Sequence, residues 1–222
     1  MTPGAFIEAL AALRFSDTFN PYAEACPDHD GVGAPQVRRE NLRLVLEAAL
    51  AGGVDSIWIA RDLGYRGGRR TGLALTDEAH LSAHAGLYGQ LPLARATRGP
   101  AMTERTATVI WQVLRDLRRP IFLWNVFPLH PHASGDPLSN RCHTRRERQA
   151  SRHLLEWLVS ELRPRVLVAI GRDAEAALAD LGMAAERVRH PSYGGQTEFV
   201  ARMGELYGLP AKAPHAVQLT LP

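Results

Sequence analysis

Short apolar runs alternate with amphipathic segments along most of the chain. Each run is four to six residues long and is followed by polar or glycine-rich sequence, which is typical of strands buried within a sheet. A fourth and weaker run follows the same order late in the chain. The predicted strands are residues 56–60, 121–125, 165–170 and 187–189.

Between these runs, apolar residues recur at the three- and four-residue spacing that predicts helices. In one segment Val37, Leu42 and Val45 share a face, and the pair Gly52-Gly53 marks its end. The predicted helices cover residues 5–13, 36–51, 77–87, 104–117 with Thr103 as a cap, 144–162, 173–181 and 197–207, and residues 15–35 are expected to form a long ordered loop.

This alternation predicts a single domain over residues 1–222, a three-layer α/β/α sandwich with a small central parallel sheet. The length of 222 residues, 45% of them hydrophobic, is sufficient for a core without covalent staples. In such folds, ligands bind beyond the carboxyl ends of the strands. The loops after Ala60, Trp124 and Arg189 leave strand ends, and we therefore expect the functional site there.

Composition excludes several protein classes. The two cysteines, Cys26 and Cys142, are too few for a disulfide scaffold, a four-cysteine zinc site or a cysteine-ligated iron–sulfur cluster. The apolar runs are shorter than the roughly 20 residues that span a bilayer, and no secretory signal is visible. We therefore expect a protein of the cytoplasm, in the region of the bacterial nucleoid, without a membrane partner.

The basic residues are almost all arginine. Of the 26 lysine and arginine residues only Lys212 is lysine, and the net charge is +3. Codon bias is sufficient to explain this composition, yet its physical consequence holds in either case. Arginine forms forked hydrogen bonds with phosphate and stacks on bases, so the composition permits a nucleic-acid partner.

Three familiar site types fit poorly. The loop of residues 65–72 lacks the Gly-Lys-Ser/Thr ending of a phosphate-binding loop, which leaves either an arginine-rich turn for a backbone phosphate or a solvated turn without ligand. The segment around Ser192 has His190 where a nucleophile elbow needs glycine. A zinc site would have to use His130, His132, Cys142 and His143, whose spacing fits no regular pattern, so a hydrogen-bonded loop is favoured.

Three sequence motifs stand at the predicted strand ends. Residues 60–65 read ARDLGY and are followed by GLALT at 72–76, residues 123–128 read LWNVFP, and residues 189–192 read RHPS. In order and placement they resemble the motifs of the uracil-DNA glycosylase superfamily, namely Gly-Gln-Asp-Pro-Tyr-His with Gly-Leu-x-Phe-Ser/Thr, a strand ending in Asn, and His-Pro-Ser. The resemblance extends from Phe19 to about Met203.

The resemblance implies a role for each residue type. Asp62 would place an anion below the sugar and orient water, and His190 would donate to uracil O2, a stabilisation typically worth roughly 3–4 kcal/mol per donor. The Asn125 amide would accept from N3–H and donate to O4, which cytosine cannot match. Further substrate contacts are expected from Arg61, Gly64, Tyr65, Leu75 and Phe127, and DNA contacts from Arg66, Gly67, Gly68, Arg69, Arg70, Ser192, Tyr193, Gly194, Gly195 and Gln196, with Arg141, Arg145 and Arg146 as further candidates.

The chain departs from the family pattern at two pocket positions. Gly64 stands where the best-known relatives carry a tyrosine that blocks the methyl group of thymine, so we expect Tyr65 to exclude thymine instead. Leu75 stands where an aromatic ring stacks on uracil, so we expect that ring to come from Tyr22, Phe127 or another aromatic residue.

The resulting prediction is a monomeric, monofunctional glycosylase that hydrolyses uracil from single- or double-stranded DNA, releases free uracil and leaves an abasic site. It needs no metal or redox cofactor, and the sole lysine, Lys212, lies in the tail rather than near the site. Three alternatives remain open. They are a glycosylase for hypoxanthine, xanthine or mismatched thymine, a non-catalytic or product-retaining binder of uracil-containing DNA, and an α/β protein that binds small nucleotides.

Overall fold

The structure, a computed structural model, describes residues 1–210. Its strands are β1 (Thr18–Phe19), β2 (Ser56–Asp62), β3 (Ile121–Phe127), β4 (His130–Pro131), β5 (Val166–Ile170) and β6 (Glu186–Val188). Its α-helices are α1 (Pro3–Ala12), α2 (Ala34–Gly52), α3 (Gly68–Thr71), α4 (Leu81–Leu87), α5 (Arg105–Leu117), α6 (Arg145–Leu162), α7 (Arg172–Asp180) and α8 (Gln196–Tyr207), and a 3₁₀ turn, Glu78–His80, precedes α4.

The four longer strands form a parallel sheet in the order β3-β2-β5-β6. In its register Ala60 lies opposite Asn125, and Asp62 lies opposite Phe127. Because all four strands run in one direction, their carboxyl ends meet at one edge of the sheet. The loops that carry the three sequence motifs therefore emerge together.

Helices cover both faces of this sheet, which confirms the predicted three-layer fold. Side chains alternate along β2, so Ile57 and Ile59 pack in the core with α1, α2, α6 and α7, whereas Trp58 and Ala60 pack in the core with α5 and α8. On β3, Leu123 belongs to the second of these cores. Asn125, two residues further along, therefore points to the same face.

The start of helix α6 is determined by its local sequence. The Thr144 hydroxyl accepts from the Glu147 backbone N–H, and the Glu147 carboxylate accepts from the Thr144 N–H in return. This capping box satisfies two of the amide groups left open at a helix start. It also fixes where the preceding loop, which carries His143, approaches the sheet.

The structure differs from the sequence prediction in several local features. The predicted loop of residues 15–35 and the loop after Trp124 each contain a two-residue strand, and these strands, β1 and β4, pair antiparallel. The cap of α5 is Glu104 rather than Thr103, and β6 lies one residue earlier than predicted. Most of the predicted tail, including Lys212, lies outside the described residues. Within residues 1–210, no helix is long and apolar enough to cross a bilayer.

Two buried histidines predict how stability depends on pH. Burial lowers the pKa of His84 from 6.5 to about 3, and burial together with the nearby Arg69 charge lowers the pKa of His130 to about 3. Between these values the unfolded chain binds more protons than the folded one. The free energy of unfolding is therefore expected to fall as the pH drops from about 6.5 toward 3.

Urea unfolding at a series of pH values tests this expectation. The substitution His84→Asn keeps a nitrogen where Nδ1 lies 3.0 Å from the Thr76 hydroxyl, but it cannot titrate. It should make the pH profile shallower, whereas the exposed His153→Asn control should leave the profile unchanged. Identical slopes for wild type and His84→Asn would contradict the assignment.

Candidate functional site

A pocket of about 460 Å³ opens at the carboxyl edge of the sheet, within the size range of small-molecule sites. It lies between the end of β2, the start of α5, the start of α7 and the loop between β6 and α8. The predicted catalytic residues Asp62 and His190, from separate loops, both line it. The predicted contacts Arg61, Gly64, Gly68, Leu75, Ser192 and Tyr193 also line it.

Asp62 is held by two donors at the end of β2. Arg61 Nε donates to Asp62 Oδ2 at 2.6 Å, and His143 Nδ1 forms a short hydrogen bond with Asp62 Oδ1. The Arg61 guanidinium also bonds the Asp173 carboxylate at 2.8 Å, which ties β2 to α7. The Asp62 side chain is only 6% exposed, so its carboxylate is fixed in position within the pocket.

The hydrogen bonds of His190 assign its tautomer. The Ser192 backbone N–H donates to His190 Nδ1 at 3.2 Å, and the Ser192 hydroxyl lies 2.7 Å from the same nitrogen. Because a backbone N–H can only donate, Nδ1 is the acceptor and the neutral ring carries its proton on Nε2. Burial, together with the Arg61 charge, lowers the pKa of His190, which favours this neutral ring at neutral pH.

Asn125 lies deeper than the other two predicted residues. Its side chain is 1% exposed, and neither its oxygen nor its nitrogen has a hydrogen-bond partner among residues 1–210. It is not a lining residue of the pocket, although its strand neighbour Ala60 is. A buried amide normally has partners, since an unpaired polar group costs roughly 1–3 kcal/mol. This amide therefore carries unused hydrogen-bonding capacity on the strand next to Ala60, a residue of the pocket wall.

Leu75, which lines the pocket, has a strained backbone conformation. Its φ is +54°, in the left-handed region that a leucine rarely adopts, and its carbonyl accepts from Trp111 Nε1 at 3.2 Å. Strain of this kind persists when surrounding contacts impose it. The hydrogen bond from α5 thus helps to hold an apolar side chain at the pocket wall.

The structure does not place the predicted rings at the pocket. Phe127 is fully buried and packs against Phe15 and His143, and Tyr22 is buried with its hydroxyl donating to the Gly72 carbonyl. Both belong to the core on the other side of the sheet. Neither ring lines the pocket, so the expectation that Phe127 or Tyr22 stacks on the base stays a prediction that this geometry does not support. Within residues 1–210, the rings that line the pocket are those of His190 and Tyr193.

Tyr65 also lies away from the pocket. Its hydroxyl accepts from Arg66 Nε at 2.7 Å, and the guanidinium of Arg66 lies 5.3 Å from the ring centroid. Tyr65 is not among the lining residues, so the wall beside Gly64 must come from another side chain.

The arginine-rich loop is partly structural, contrary to the sequence prediction. Arg69 is 5% exposed and bonds the Pro137 carbonyl, and Arg70 is 6% exposed and pairs with Glu78 at 3.0 Å. Arg141 is likewise engaged, with both Glu147 oxygens among its partners. These three guanidinium groups stabilise the fold through internal hydrogen bonds, so they are not free to bind a phosphate.

Other predicted DNA contacts face solvent. Arg66, Arg145 and Arg146 are exposed, and none of them takes part in an ion pair among residues 1–210. Tyr193 is 98% exposed on a backbone of φ +50°, followed by Gly194 at φ +79°. This loop therefore projects an aromatic ring at the mouth of the pocket. Gln196, also exposed, begins α8 behind it.

The structure adds two residues to the site that the sequence motifs do not indicate. His143, a candidate metal ligand by sequence, bonds Asp62, and no group of three possible metal ligands occurs in the described part of the chain. Glu104, at the start of α5, lines the pocket. Neither proximity has a signal in sequence spacing, because each partner comes from a distant segment.

Comparisons with known proteins identify the family and the fold of this chain. The family model described as the uracil DNA glycosylase superfamily matches residues 77–217, a range that includes Asn125 and His190 and begins after Asp62. The crystal structure of wild-type SMUG2 from Pedobacter heparinus is similar with a TM-score of 0.61 and 12% identity, covering 93% of this chain and 97% of that one. No curated protein sequence matches the chain.

Proposed function

This chain belongs to the uracil-DNA glycosylase superfamily, and from that membership we propose that it removes uracil from DNA by hydrolysis and leaves an abasic site. As a DNA glycosylase it is a hydrolase acting on N-glycosyl bonds. The observation that carries the uracil proposal is that a fixed carboxylate, Asp62, and a neutral imidazole, His190, line one pocket, whose wall residue Ala60 lies opposite the unpaired amide of Asn125 in the sheet.

Asp62 would act on the sugar. Cleavage of the bond between C1′ and the base leaves positive charge on the sugar and negative charge on the base. A carboxylate fixed by Arg61 and His143 stabilises the positive charge without having to reorganise, and it can orient the water whose oxygen bonds C1′. The bonding electrons leave with the base, and the water proton is released or taken up by the departing base.

His190 would act on the departing base. Its Nε2–H, left free by the two Ser192 contacts at Nδ1, is a donor for the negative charge that develops at uracil O2. A neutral donor of this kind stabilises the anion by a hydrogen bond without transferring its proton to it. One such donor is typically worth about 3–4 kcal/mol.

Asn125 would read the opposite edge of the base. An amide accepts from uracil N3–H and donates to O4 at the same time, whereas cytosine presents the reverse pattern. The two unpaired atoms of Asn125 match this demand, because uracil would satisfy both of them. Binding of the wrong base would leave buried groups unpaired, which is the strongest form of discrimination available to a pocket.

The DNA would meet the protein around the pocket mouth. A base must leave the helix to reach Asp62, at a cost of a few kcal/mol that is smallest for mispaired or single-stranded bases. The exposed Tyr193 ring is suited to occupy the space that the base leaves. Arg66, Arg145 and Arg146 are suited to phosphates of the flanking strand.

A direct test uses purified protein, a chelator and oligonucleotides that each carry one modified base. We expect alkali-labile breaks at uracil in single strands and in U·G and U·A duplexes, with multiple turnovers on excess substrate. Breaks at hypoxanthine, xanthine or mismatched thymine but not at uracil would replace uracil as the substrate. A stable complex without base release would identify a binder instead.

A further inference from the structure

Besides Asp62 and Asp173, a third carboxyl residue, Glu104, lines the pocket, on an element outside the three sequence motifs. Glu104, the residue before α5, extends toward the loop that follows β2 and packs against two of its glycines. A Cβ at Gly64 would stand 2.7 Å from Glu104 Oε1, and a Cβ at Gly67 would overlap Oε2. The side chain of Glu104 therefore fills the space beside Gly64 that any larger residue there would need.

The carboxyl group of Glu104 has no structural task that explains this position. None of the hydrogen bonds or ion pairs within residues 1–210 involves its carboxylate, and it makes no side-chain cap for α5. Instead the backbone N–H of Glu104 donates to Asp77 Oδ2 at 2.6 Å, which fixes where the side chain begins. Burial, reinforced by the Asp77 charge and opposed by Arg66, raises the pKa of Glu104 to about 7.

The edges of the base identify what this wall would face. In the proposed function, Asn125 takes the N3 and O4 edge and His190 takes O2, so the C5–C6 edge is left for the remaining wall of the pocket. Gly64 and Glu104 are part of that wall, and the Leu75 side chain lines the same pocket. Thymine differs from uracil only by a methyl group on C5, so this wall decides whether that methyl group fits.

We propose that Glu104 is a specificity-determining residue, whose side chain forms the wall beside Gly64 and excludes pyrimidines with a substituent on C5. This inference rests on the proposed uracil function. It replaces Tyr65, which the structure places outside the pocket, with a residue from a different element. The wall beside Gly64 is thus formed by a side chain at the start of α5 rather than by a residue of the first motif.

The test compares wild type, Glu104→Ala, Glu104→Gln and the exposed neighbour control Thr103→Ala. Single-stranded oligonucleotides carry uracil, 5-fluorouracil, thymine or 5-bromouracil, so that differences in base pairing do not affect flipping. Single-turnover rates are expressed relative to uracil for each variant. Because each base has the same leaving-group ability with every variant, comparing this ratio between variant and wild type removes that contribution.

Glu104→Ala should raise the thymine-to-uracil ratio at least about tenfold, the lower end of what one methyl group costs in a closed pocket. Glu104→Gln, which keeps the volume, and Thr103→Ala should keep the wild-type ratio. An unchanged ratio for Glu104→Ala, or an equal rise for Glu104→Gln, would overturn the proposal. Failure of wild type to release any uracil would instead overturn the proposed function.

A double-mutant cycle tests the same contact without catalysis. Gly64→Ala alone displaces the free end of the Glu104 side chain and should lower the melting temperature slightly, whereas Gly64→Ala in the Glu104→Ala background meets none of these atoms and should not lower it. Additive changes would show that Glu104 does not occupy the space beside Gly64. If Glu104→Ala does not fold, Glu104→Ser serves in both experiments.

Discussion

Asp62→Asn is expected to slow base release by roughly 10²–10⁴-fold while leaving DNA affinity within about a factor of three, the range typical of losing a positioned charged or proton-accepting group. The substitution keeps the shape of the side chain and removes its charge. Arg61 retains its second partner, Asp173, so the link between β2 and α7 survives. The interaction with positive charge on the sugar and with the attacking water is lost, and so is one of the two hydrogen bonds from Arg61 and His143, because the amide NH2 cannot accept.

The measurements are single-turnover cleavage and equilibrium binding to the same uracil oligonucleotide. Asp180→Asn makes the same chemical change at an exposed site on α7 and should behave as wild type in both assays. A parallel loss of cleavage and binding, together with a lower melting temperature, would show that Asp62 is structural.

The arrangement of the sheet was predictable because its signals are local. Each strand core is a short apolar run, and parallel strands bring their carboxyl ends to one edge whatever the details of the connections. That rule placed Asp62 and His190 at one pocket before any contact was known. The short strands β1 and β4 were not predictable, because two residues carry no periodicity and their pairing joins distant loops.

The burial of Arg69 and Arg70 was not predictable for a related reason. Three arginines in a glycine-rich turn indicate a solvated, phosphate-facing loop when the rest of the fold is unknown. The structure satisfies Arg70 with Glu78 from a separate turn, and Arg69 with a carbonyl of the loop after β4. A buried charge needs such partners, and sequence spacing does not reveal which segments supply them.

Glu104 and His143 illustrate the same limit within the site. Each contacts a motif residue from a distant segment of the chain, Glu104 beside Gly64 and His143 on Asp62. Motif comparison finds residues that share a loop with the chemistry. It does not find residues that contact the motif from another helix or loop. Such residues can compensate when a motif position carries a different side chain.

Asn125→Asp is expected to create cytosine release and to lower uracil release by at least about 10²-fold. Cytosine N3 accepts and its amino group donates, so a protonated carboxyl group matches it as the amide matches uracil. Burial raises the pKa of a carboxyl group, which favours the protonated form at this 1% exposed position. Cleavage of matched uracil and cytosine oligonucleotides measures the change.

Asn140→Asp is the matched control, because Asn140 lines the same pocket but accepts hydrogen bonds from Tyr65 and His130. It should not admit cytosine. The variant Asn125→Leu tests whether Asn125 recognises the base or only packs in the core. If the amide is reserved for the base, this variant removes two unpaired polar atoms, so it should be at least as stable as wild type yet inactive on uracil. A folded Asn125→Asp protein with unchanged base choice would remove Asn125 as the reader.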